Sequence, residues 1–508
     1  MSTARVLTRN IFSNWANLAV TIIIGFFMLP FMVHQLGDAH YGIWTLVVSL
    51  VGYGNLLDFG VRSSIVKYVS QHHATDNRAQ LRSLFTTTLA LYTAIGALVL
   101  VFAAGAAFLL PHLFYIPPEM VGEAQVVLLI VGFNLALKFP GGVFEGFVTG
   151  LQRYEVANAI AIGFTLLRTA LTVVFLIRGE KLLALATIGL VSDLLMSAVM
   201  AVVCLRLLPW LSIGRGYLNA KILREVYGYG IWSAVIALAS RVLYDSDSIL
   251  IGMFLPAVFI TQFAVANSLV RYLRQLAYGM GNVFSPAASD IEARQQKERL
   301  RQLLIYGTRY AAAVILPAAA LLALLGREFL ALWMGPRFAA ESGTVLIILL
   351  LSQAIAMAQF PAGAVLYGLN RHRHLAWILL AQALVKVVLS LALIPTYGIL
   401  GAALGTAVPE ILASLVLIPI LVTHCVGVPL VLYLRQAFFC PLASLIPTVA
   451  LVLTLKTLAP PTSWLILATE VAAGLVLYTA TAVRFCLDGP QRATLTGYLK
   501  RTCRGAAA

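Results

Sequence analysis

The chain has 508 residues, of which 61% are hydrophobic and only 11% are charged. Soluble globular domains carry about 25% charged residues, so this composition excludes an ordinary soluble protein. Lysine and arginine outnumber aspartate and glutamate by 35 to 20, an excess that fits either nucleic acid or the anionic face of a membrane.

Apolar stretches long enough to cross about 30 Å of hydrocarbon recur along the whole chain. They predict an all-α polytopic membrane protein with about fourteen transmembrane helices. The predicted spans, in chain order, are 11–35, 41–66, 84–110, 123–148, 157–178, 183–208, 226–252, 257–284, 304–330, 344–367, 376–395, 399–423, 437–459 and 464–487.

An internal repeat relates the first six predicted spans to the next six. At a shift of about 218 residues, Gly150–Arg153 aligns with Gly368–Arg371, and Arg168 aligns with Lys386. Six helices per copy leave both copies with the same orientation, so we expect two lobes related by an axis along the membrane normal. The expected architecture is two parallel-repeat six-helix lobes around a central cavity, plus two extra C-terminal helices.

The repeat divides the chain into four predicted parts. They are an N-terminal lobe of six helices at 1–208, a cytoplasmic amphipathic linker at 209–225, a second six-helix lobe at 226–423, and two additional helices with a basic tail at 424–508. The linker carries Arg215, Lys221 and Arg224 among apolar residues, a composition typical of a helix that lies on the anionic inner leaflet.

The distribution of basic residues predicts the orientation in the membrane. With the N-terminus inside, about 22 of the 35 lysines and arginines fall in cytoplasmic segments and only about 5 fall outside. This bias predicts a multi-pass protein of the inner membrane with both termini in the cytoplasm, and it accounts for the positive charge without nucleic acid. The longest outer loops, near 111–123 and 331–343, have about a dozen residues each, which leaves no room for an extracytoplasmic catalytic domain.

Several basic residues lie at membrane depth, where a charge costs about 2.5–3.5 kcal/mol on insertion scales. Most of them must therefore face a wet interior, and we predict that they line a cationic substrate-binding cavity. These residues are Arg62, Lys138, Arg168, Arg241, Arg271, Arg274 and Lys386. Arg309, near the cytoplasmic end of its predicted span, is instead expected to extend its charge to the membrane surface.

Three of these cations have an acidic residue nearby on the same predicted helix, so local neutralisation is the alternative to ligand binding. The pairs are Asp58 with Arg62, Arg241 with Asp245, and Lys138 with Glu145. The last pair flanks Pro140–Gly142, a predicted helix break.

The other four cations, Arg168, Arg271, Arg274 and Lys386, have no acidic residue within a helical turn. They are expected to form an unpaired positive surplus, which favours an anionic ligand. The planar guanidinium of arginine suits the oxygens of phosphate or pyrophosphate.

Acidic residues at membrane depth are the usual relays for a coupling proton or sodium ion. The candidates are Asp58, Glu145, Asp193, Asp245, Asp247 and Glu410. The histidine clusters His72–His73 and Arg371–His374 lie in basic loops and predict no metal site, and the chain has no nucleophile motif and no glycine-rich phosphate loop after a strand. No cofactor and no bond chemistry are therefore expected.

Several short motifs occur along the chain in a characteristic order. They are Leu36–Gly42, Leu57–Gly60, Asp247–Gly252, Leu332–Gly335, Gly368–Arg371 and Tyr397–Ala403. Together they resemble those of the polysaccharide transporter (Wzx-type oligosaccharide flippase) family, which belongs to the multidrug/oligosaccharidyl-lipid/polysaccharide exporter superfamily. The resemblance covers predicted spans 1 to 12.

The resemblance implies two six-helix lobes that form a V around a central cavity and work by alternating access. It also implies a cargo of undecaprenyl-pyrophosphate-linked oligosaccharide units for O-antigen, capsule or exopolysaccharide, moved across the bacterial inner membrane. Membrane lipid, a polysaccharide polymerase and export proteins are the implied partners. The two additional spans resemble those of the lipid II flippase relatives.

Three other functions stay open on the sequence alone. A multidrug and toxin extruder of the same superfamily would export organic cations in exchange for H⁺ or Na⁺ and would favour an acidic cavity. A membrane enzyme, such as a polysaccharide polymerase or a lipid-using glycosyltransferase, would need a sizeable outer catalytic loop. A non-transporting scaffold would have no need of cations at mid-membrane.

Overall fold

The computed structural model describes residues 3–58, 60–212, 214–219, 222–223, 231–281 and 284–486. The helices of the first half are α1 (Thr3–Leu36), α2 (Asp38–Gly52), α3 (Val61–Ala74), α4 (Arg78–Leu113), α5 (Pro118–Gly150), α6 (Tyr154–Ile177) and α7 (Leu182–Leu207). Two predicted features lie outside the described residues, namely Lys221 and Arg224 of the linker and the basic tail from 487 to 508.

The second half of the chain is also helical. Its helices are α8 (Ile231–Asp245), α9 (Asp247–Phe254), α10 (Ala257–Gly281), α11 (Phe284–Ala293), α12 (Lys297–Trp333), α13 (Pro336–Ala358), α14 (Phe360–Gly368), α15 (His372–Tyr397), α16 (Ile399–Leu412), α17 (Ile418–Val426), α18 (Leu430–Leu458) and α19 (Trp464–Cys486). A π-helical turn, Ala413–Leu417, joins α16 to α17. The described residues contain no β-strand, so the all-α polytopic class is confirmed.

Eleven helical segments of the described chain are long and apolar enough to cross a membrane, or twelve if the bent segment from Asp38 to Ala74 counts as one span. The predicted spans 226–252 and 257–284 fall on α8, α9 and α10, which are not among the eleven. The count of fourteen spans therefore stays a prediction.

The chain forms two compact units, Met1–Ala264 and Val265–Ala508. Their boundary lies inside α10, later in the chain than the predicted linker at 209–225. In the first unit α4 packs on α5, α5 on α7, and α1 on α6. In the second unit α12 packs on α13 and α18, α15 on α16, and α18 on α19.

The backbone of the two units repeats local details that support the internal repeat. Among the described residues other than glycine, four have a positive φ. Gln295 follows Asp76 by 219 residues, and Asn370 follows Gln152 by 218. Residues with a Cβ rarely adopt this left-handed conformation, so its recurrence at the repeat spacing is evidence that does not depend on residue identity.

The predicted break at Pro140–Gly142 is wrong. Helix α5 is continuous across it, with Pro140 inside the helix, because neighbouring helices and small local adjustments can satisfy the backbone groups that a proline frees. In the second unit the matching stretch is interrupted instead, since α13 ends at Ala358 and α14 begins at Phe360.

The segment after α7 docks on the start of α4. The Arg82 guanidinium donates to the backbone oxygen of Trp210 at 3.0 Å, and the Ser83 hydroxyl donates to the backbone oxygen of Tyr217 at 2.7 Å. A 3₁₀ turn, Arg215–Tyr217, lies in this segment. This part of the predicted linker is therefore held by polar contacts to the first unit.

Candidate functional site

A polar chamber of about 400 Å³ lies within the first unit. It is enclosed by the 3₁₀ turn Tyr53–Asp58, which follows α2, and by α3, α4, α5 and α7. Its polar lining consists of Asn55, Asp58, Arg62, Tyr92, Lys138, Glu145 and Ser197. Four of the predicted site residues thus line one cavity, with two positive and two negative charges among them.

The predicted local pair of Asp58 and Arg62 is wrong. Arg62 forms an ion pair with Glu145 of α5, and the Tyr92 hydroxyl of α4 donates a hydrogen bond to Asp58. Gly60, with φ 78°, separates the 3₁₀ turn from α3, so the two residues do not share one continuous helix. The four-residue spacing therefore does not place them on a common helix face.

The predicted pair of Lys138 and Glu145 is wrong as well. The Lys138 ammonium lies 2.9 Å from a carboxylate oxygen of Asp193 on α7. The Asn134 amide donates to the same carboxylate at 2.8 Å. Seven residues of α-helix span about 10.5 Å along the axis, too far for direct contact, so each charge finds its partner on a neighbouring helix.

A second chamber of about 320 Å³ lies among α1, α2, α6 and α7 of the same unit. Arg168 and Asp193 both line it. A guanidinium nitrogen of Arg168 lies 3.8 Å from the Asp193 carboxylate oxygen that also faces Lys138. Asp193 thus connects a cation of the polar chamber to a cation of the second chamber.

The side chains at this junction differ in exposure. Those of Lys138 and Arg168 are 43% and 40% exposed, whereas that of Asp193 is only 11% exposed. A Cβ added at Gly189 would lie 3.2 Å from a guanidinium nitrogen of Arg168, so this glycine leaves the room that the guanidinium occupies. Two accessible cations therefore share one largely buried carboxylate.

A related cluster lies in the interior of the second unit. Lys386 is fully buried at 0% exposure, and Arg274 and Glu410 are buried beside it. Gln382 donates to the Glu410 carboxylate at 2.5 Å, and Arg274 donates to the Gln353 amide oxygen at 2.6 Å. Arg274 and Lys386 both act electrostatically on Glu410, so one carboxylate again serves two cations.

The expectation of an unpaired positive surplus is wrong for Arg168, Arg274 and Lys386. Arg168 pairs with Asp193 of a neighbouring helix, and Arg274 and Lys386 are buried within electrostatic range of Glu410. Arg271, by contrast, is exposed and takes part in no hydrogen bond or ion pair among the described residues. The three partnered cations were misjudged because helix packing, and not spacing along one helix, selects their partners.

The repeat places these charges at corresponding positions. Asp193 follows Arg168 by 25 residues and Glu410 follows Lys386 by 24, with the cation on α6 or α15 and the acid on α7 or α16. The accessible pair of the first unit is therefore the candidate ligand site. In the second unit the buried residues Lys386 and Glu410 occupy the corresponding positions, and they are the structural counterpart of this site.

The sequence interpretation missed two amides that complete these clusters. Asn134 of α5 contacts Asp193, and Gln353 of α13 contacts Arg274. Gln353 follows Asn134 by 219 residues. The register of the repeat was therefore the signal that could have found both.

Arg241 and Asp245 form the predicted local ion pair, with a separation of 3.0 Å. The Arg241 guanidinium also lies 6.0 Å from the centre of the Tyr53 ring. Asp247, two residues further on, is buried. Arg241, Asp245 and Asp247 are not part of the lining of either chamber.

The expectation that Arg309 reaches the membrane surface is wrong. Arg309 is buried, and its guanidinium donates to the backbone oxygens of Gln436 at 2.7 Å and Cys486 at 3.4 Å. Helix α12 begins at Lys297, so Arg309 lies three turns inside it and faces α18 and α19.

Within the described residues no group of three or more His, Cys, Asp or Glu side chains could hold a metal ion.

Comparison with known proteins gives a match to a family model. A family described as "Polysaccharide biosynthesis protein" matches residues 31–342. The membrane protein EpsK of Bacillus subtilis (strain 168), described as uncharacterized, is 22% identical over 423 residues, covering 83% of this chain and 84% of the relative. A putative O-antigen transporter of Shigella flexneri is 21% identical over 417 residues, covering 81% of this chain and 96% of the relative.

A solved structure has a similar fold. The lipid II flippase MurJ, in an inward closed conformation, superposes with a TM-score of 0.70 at 12% sequence identity, covering 95% of this chain and 99% of that chain. At this identity the likeness concerns the fold alone. The family match, however, covers more than half of the chain, so this protein belongs to the polysaccharide biosynthesis protein family, which confirms the resemblance to polysaccharide transporters that its motifs indicate.

Proposed function

We propose that the protein is a flippase that moves polyprenyl-pyrophosphate-linked oligosaccharide units across the membrane. The names of its relatives, an O-antigen transporter among them, favour transport over bond chemistry. The observation that carries the proposal is the junction in the first unit, where Lys138 and Arg168 share the single carboxylate of Asp193 beside a polar chamber. A flippase whose cargo has an anionic head group needs accessible cations of this kind beside a polar chamber.

The pyrophosphate is proposed to bind Lys138 and Arg168. The ammonium has three donors and the guanidinium has five, so both retain free donors after pairing with Asp193. The polar chamber supplies Asn55, Tyr92 and Ser197 as hydrogen-bonding groups for the first sugars. These groups and the paired charges are already in place. They can form hydrogen bonds that replace part of those that the sugars lose with water on binding.

The other predicted cations receive different roles in this proposal. Arg62 is proposed to line the sugar chamber, and the exposed Arg271 remains a proposed binding residue, as does Arg241. Lys386 and Arg274 are proposed to hold helices together, because both are buried against Glu410. Burial without accessible donors is typical of a structural charge cluster.

Transport is proposed to proceed by alternating access, with differential binding of cargo to two conformations. A coupling H⁺ or Na⁺ is proposed to bind at one of the acids Asp58, Glu145, Asp193, Asp245, Asp247 or Glu410. Asp193 is the strongest of these candidates because a proton on it would release both Lys138 and Arg168 for an anionic cargo.

The proposal is tested with purified protein in proteoliposomes that contain a fluorescent polyprenyl-pyrophosphate-linked oligosaccharide. Loss of one charged contact costs about 1.5–3 kcal/mol, or roughly 10- to 150-fold in binding. Lys138→Ala and Arg168→Ala should each slow translocation to that extent. Arg153→Ala, which removes an exposed loop arginine paired with Glu155 at 3.5 Å, is the control. Wild-type translocation by the Lys138→Ala, Arg168→Ala double variant would refute the proposal.

The polar chamber argues against the multidrug extruder alternative. An exporter of organic cations should present an acidic surplus, whereas Asp58 and Glu145 are balanced here by Arg62 and Lys138. Export of a fluorescent organic cation by the same proteoliposomes, without movement of the oligosaccharide lipid, would reverse this choice. A location in the bacterial inner membrane and partnership with a polysaccharide polymerase and export proteins belong to the flippase proposal.

A further inference from the structure

We propose that the second chamber of the first unit is a binding site for the phosphate-proximal isoprene units of a polyprenyl chain. This proposal rests on the flippase function and identifies where the lipid part of its cargo begins. The chamber of about 320 Å³ lies among α1, α2, α6 and α7, and its lining includes Arg168 and Asp193. A pyrophosphate bound at Arg168 would place the first part of the attached chain in the chamber.

Seven of the thirteen residues that line the chamber are apolar. They include Met28 and Met32 of α1, Trp44 of α2, Phe164 of α6 and Leu185 of α7. Methionine is flexible and polarisable, so it adapts to ligands of irregular outline. A branched and unsaturated isoprenoid has such an outline, and its methyl groups need the same adaptable contacts.

The threonines of the lining add to its apolar character. The Thr165 hydroxyl donates to the backbone oxygen of Ala161 at 2.8 Å, and the Thr169 hydroxyl donates to that of Thr165 at 2.7 Å. Both hydroxyls are therefore satisfied within α6. Their methyl groups remain available to a ligand in the chamber.

One buried polar group of the lining has no hydrogen-bond partner among the described residues. It is the hydroxyl of Ser192, which is only 2% exposed. A buried hydroxyl without a partner destabilises the folded state. Ser192 precedes Asp193 in the chain, and a phosphate oxygen beside Arg168 would supply the missing acceptor.

The two chambers are linked through one charged group. Asp193 of the second chamber pairs with Lys138 of the polar chamber and with Arg168, and Met196 lines both chambers. A volume of about 320 Å³ is at the lower end of the range for small-molecule pockets. It suits a few isoprene units, so the rest of a long polyprenyl tail would stay in the lipid.

The test compares soluble ligands on purified protein in lipid nanodiscs. Geranylgeranyl diphosphate should bind at least tenfold more tightly than inorganic pyrophosphate, because the chamber adds contacts to the chain. Hexadecyl diphosphate, with a straight chain of similar length, should bind more weakly than the prenyl ligand. Equal binding of all three ligands would overturn the proposal, and equal binding of the prenyl and hexadecyl ligands would show a general lipid-chain site and overturn the isoprenoid assignment.

Two substitutions on opposite walls fill the chamber, Met28→Trp on α1 and Thr169→Trp on α6. Either should remove the tenfold preference for geranylgeranyl diphosphate while binding of pyrophosphate stays unchanged. Leu166→Trp is the matched control, since Leu166 lies on α6 but is 52% exposed and outside the lining. Two sites make the test robust if one variant does not fold, and full preference in a folded filled variant would refute the proposal.

Ser192→Ala tests the proposed contact with phosphate separately from the contacts with the chain. It should weaken both pyrophosphate and geranylgeranyl diphosphate several-fold and leave the ratio between them unchanged. Unchanged binding of both ligands would contradict the role assigned to Ser192. The function itself is judged separately, because a failure of the flippase proposal would appear as no translocation by the wild-type protein, whatever the prenyl preference.

Discussion

At the scale of single residues, the same charge pair has two different environments in one chain. Lys138 and Arg168 face Asp193 with side chains that are 43% and 40% exposed. Lys386 faces Glu410 with no exposure at all. The cost of removing a charge depends on whether water can solvate the partner that remains. The two carboxylates should therefore respond differently to the same neutral substitution.

Glu410→Gln should destabilise the protein strongly. It removes the negative charge that acts on the buried Lys386 and Arg274, and removing one member of a buried charge pair costs about 3–5 kcal/mol. Asp193→Asn is the matched change in the first unit and should cost less, since water can solvate the partly exposed Lys138 and Arg168 that remain. Thermal unfolding of the two detergent-solubilised variants measures both effects. Equal losses would mean that the two clusters do not differ in solvent access as described.

At the scale of helices, Arg309 joins three elements that the internal repeat does not relate. It lies on α12 and donates to backbone oxygens of α18 and α19. A hydrophobic core formed by Leu321, Leu325, Val452 and Leu467 lies between the same three helices. The two C-terminal helices are therefore attached to the second unit by both polar and apolar contacts.

Arg309→Ala should loosen this attachment. Hydrogen bonds from a charged donor contribute about 1.5–3 kcal/mol each, and two backbone oxygens would lose their donor. A lower unfolding temperature and faster proteolysis in the 459–463 loop are the expected results. Arg299→Ala is the control, because among the described residues this exposed arginine of α12 bonds only to Gln296, at 2.9 Å. If both variants were equally stable, Arg309 would not be a structural anchor.

A carboxyl group at the same three-helix contact is unusual. Glu470 of α19 is only 3% exposed, and neither carboxylate oxygen has a hydrogen-bond partner among the described residues. A buried polar group without a partner costs about 1–3 kcal/mol, so Glu470→Leu should stabilise the protein by about that amount in thermal unfolding. Glu470→Gln keeps the shape and should gain less. A loss of stability in Glu470→Leu would contradict the description of Glu470 as a buried carboxylate without a hydrogen-bond partner.

At the scale of the whole molecule, the structural features that the sequence predicts are those set by residues close together in the chain. Hydrophobic periodicity predicts the long helices, and the aligned motifs predict a repeat that the paired positive φ values of Asp76 and Gln295 support. The partners of the charges could not be predicted, because Asp193 lies 25 residues from Arg168 and only packing brings α6 and α7 together. The expected position of Arg309 was wrong because hydropathy alone predicts a span that begins at residue 304, whereas α12 begins at Lys297.

The orientation of the whole chain gives a last prediction. Basic residues cluster on one side of the membrane in bacterial multi-pass proteins, and the loop between α3 and α4 is flanked by Lys67, Arg78 and Arg82. A single cysteine at Thr75, in a background free of native cysteines, should therefore be blocked only by a thiol reagent that crosses the membrane. A cysteine at Thr462, between α18 and α19, should react with an impermeant reagent added outside, because its nearest flanking cation is Lys456 alone. Reaction of both positions from one side would be incompatible with an odd number of crossings between them and would reject the predicted topology.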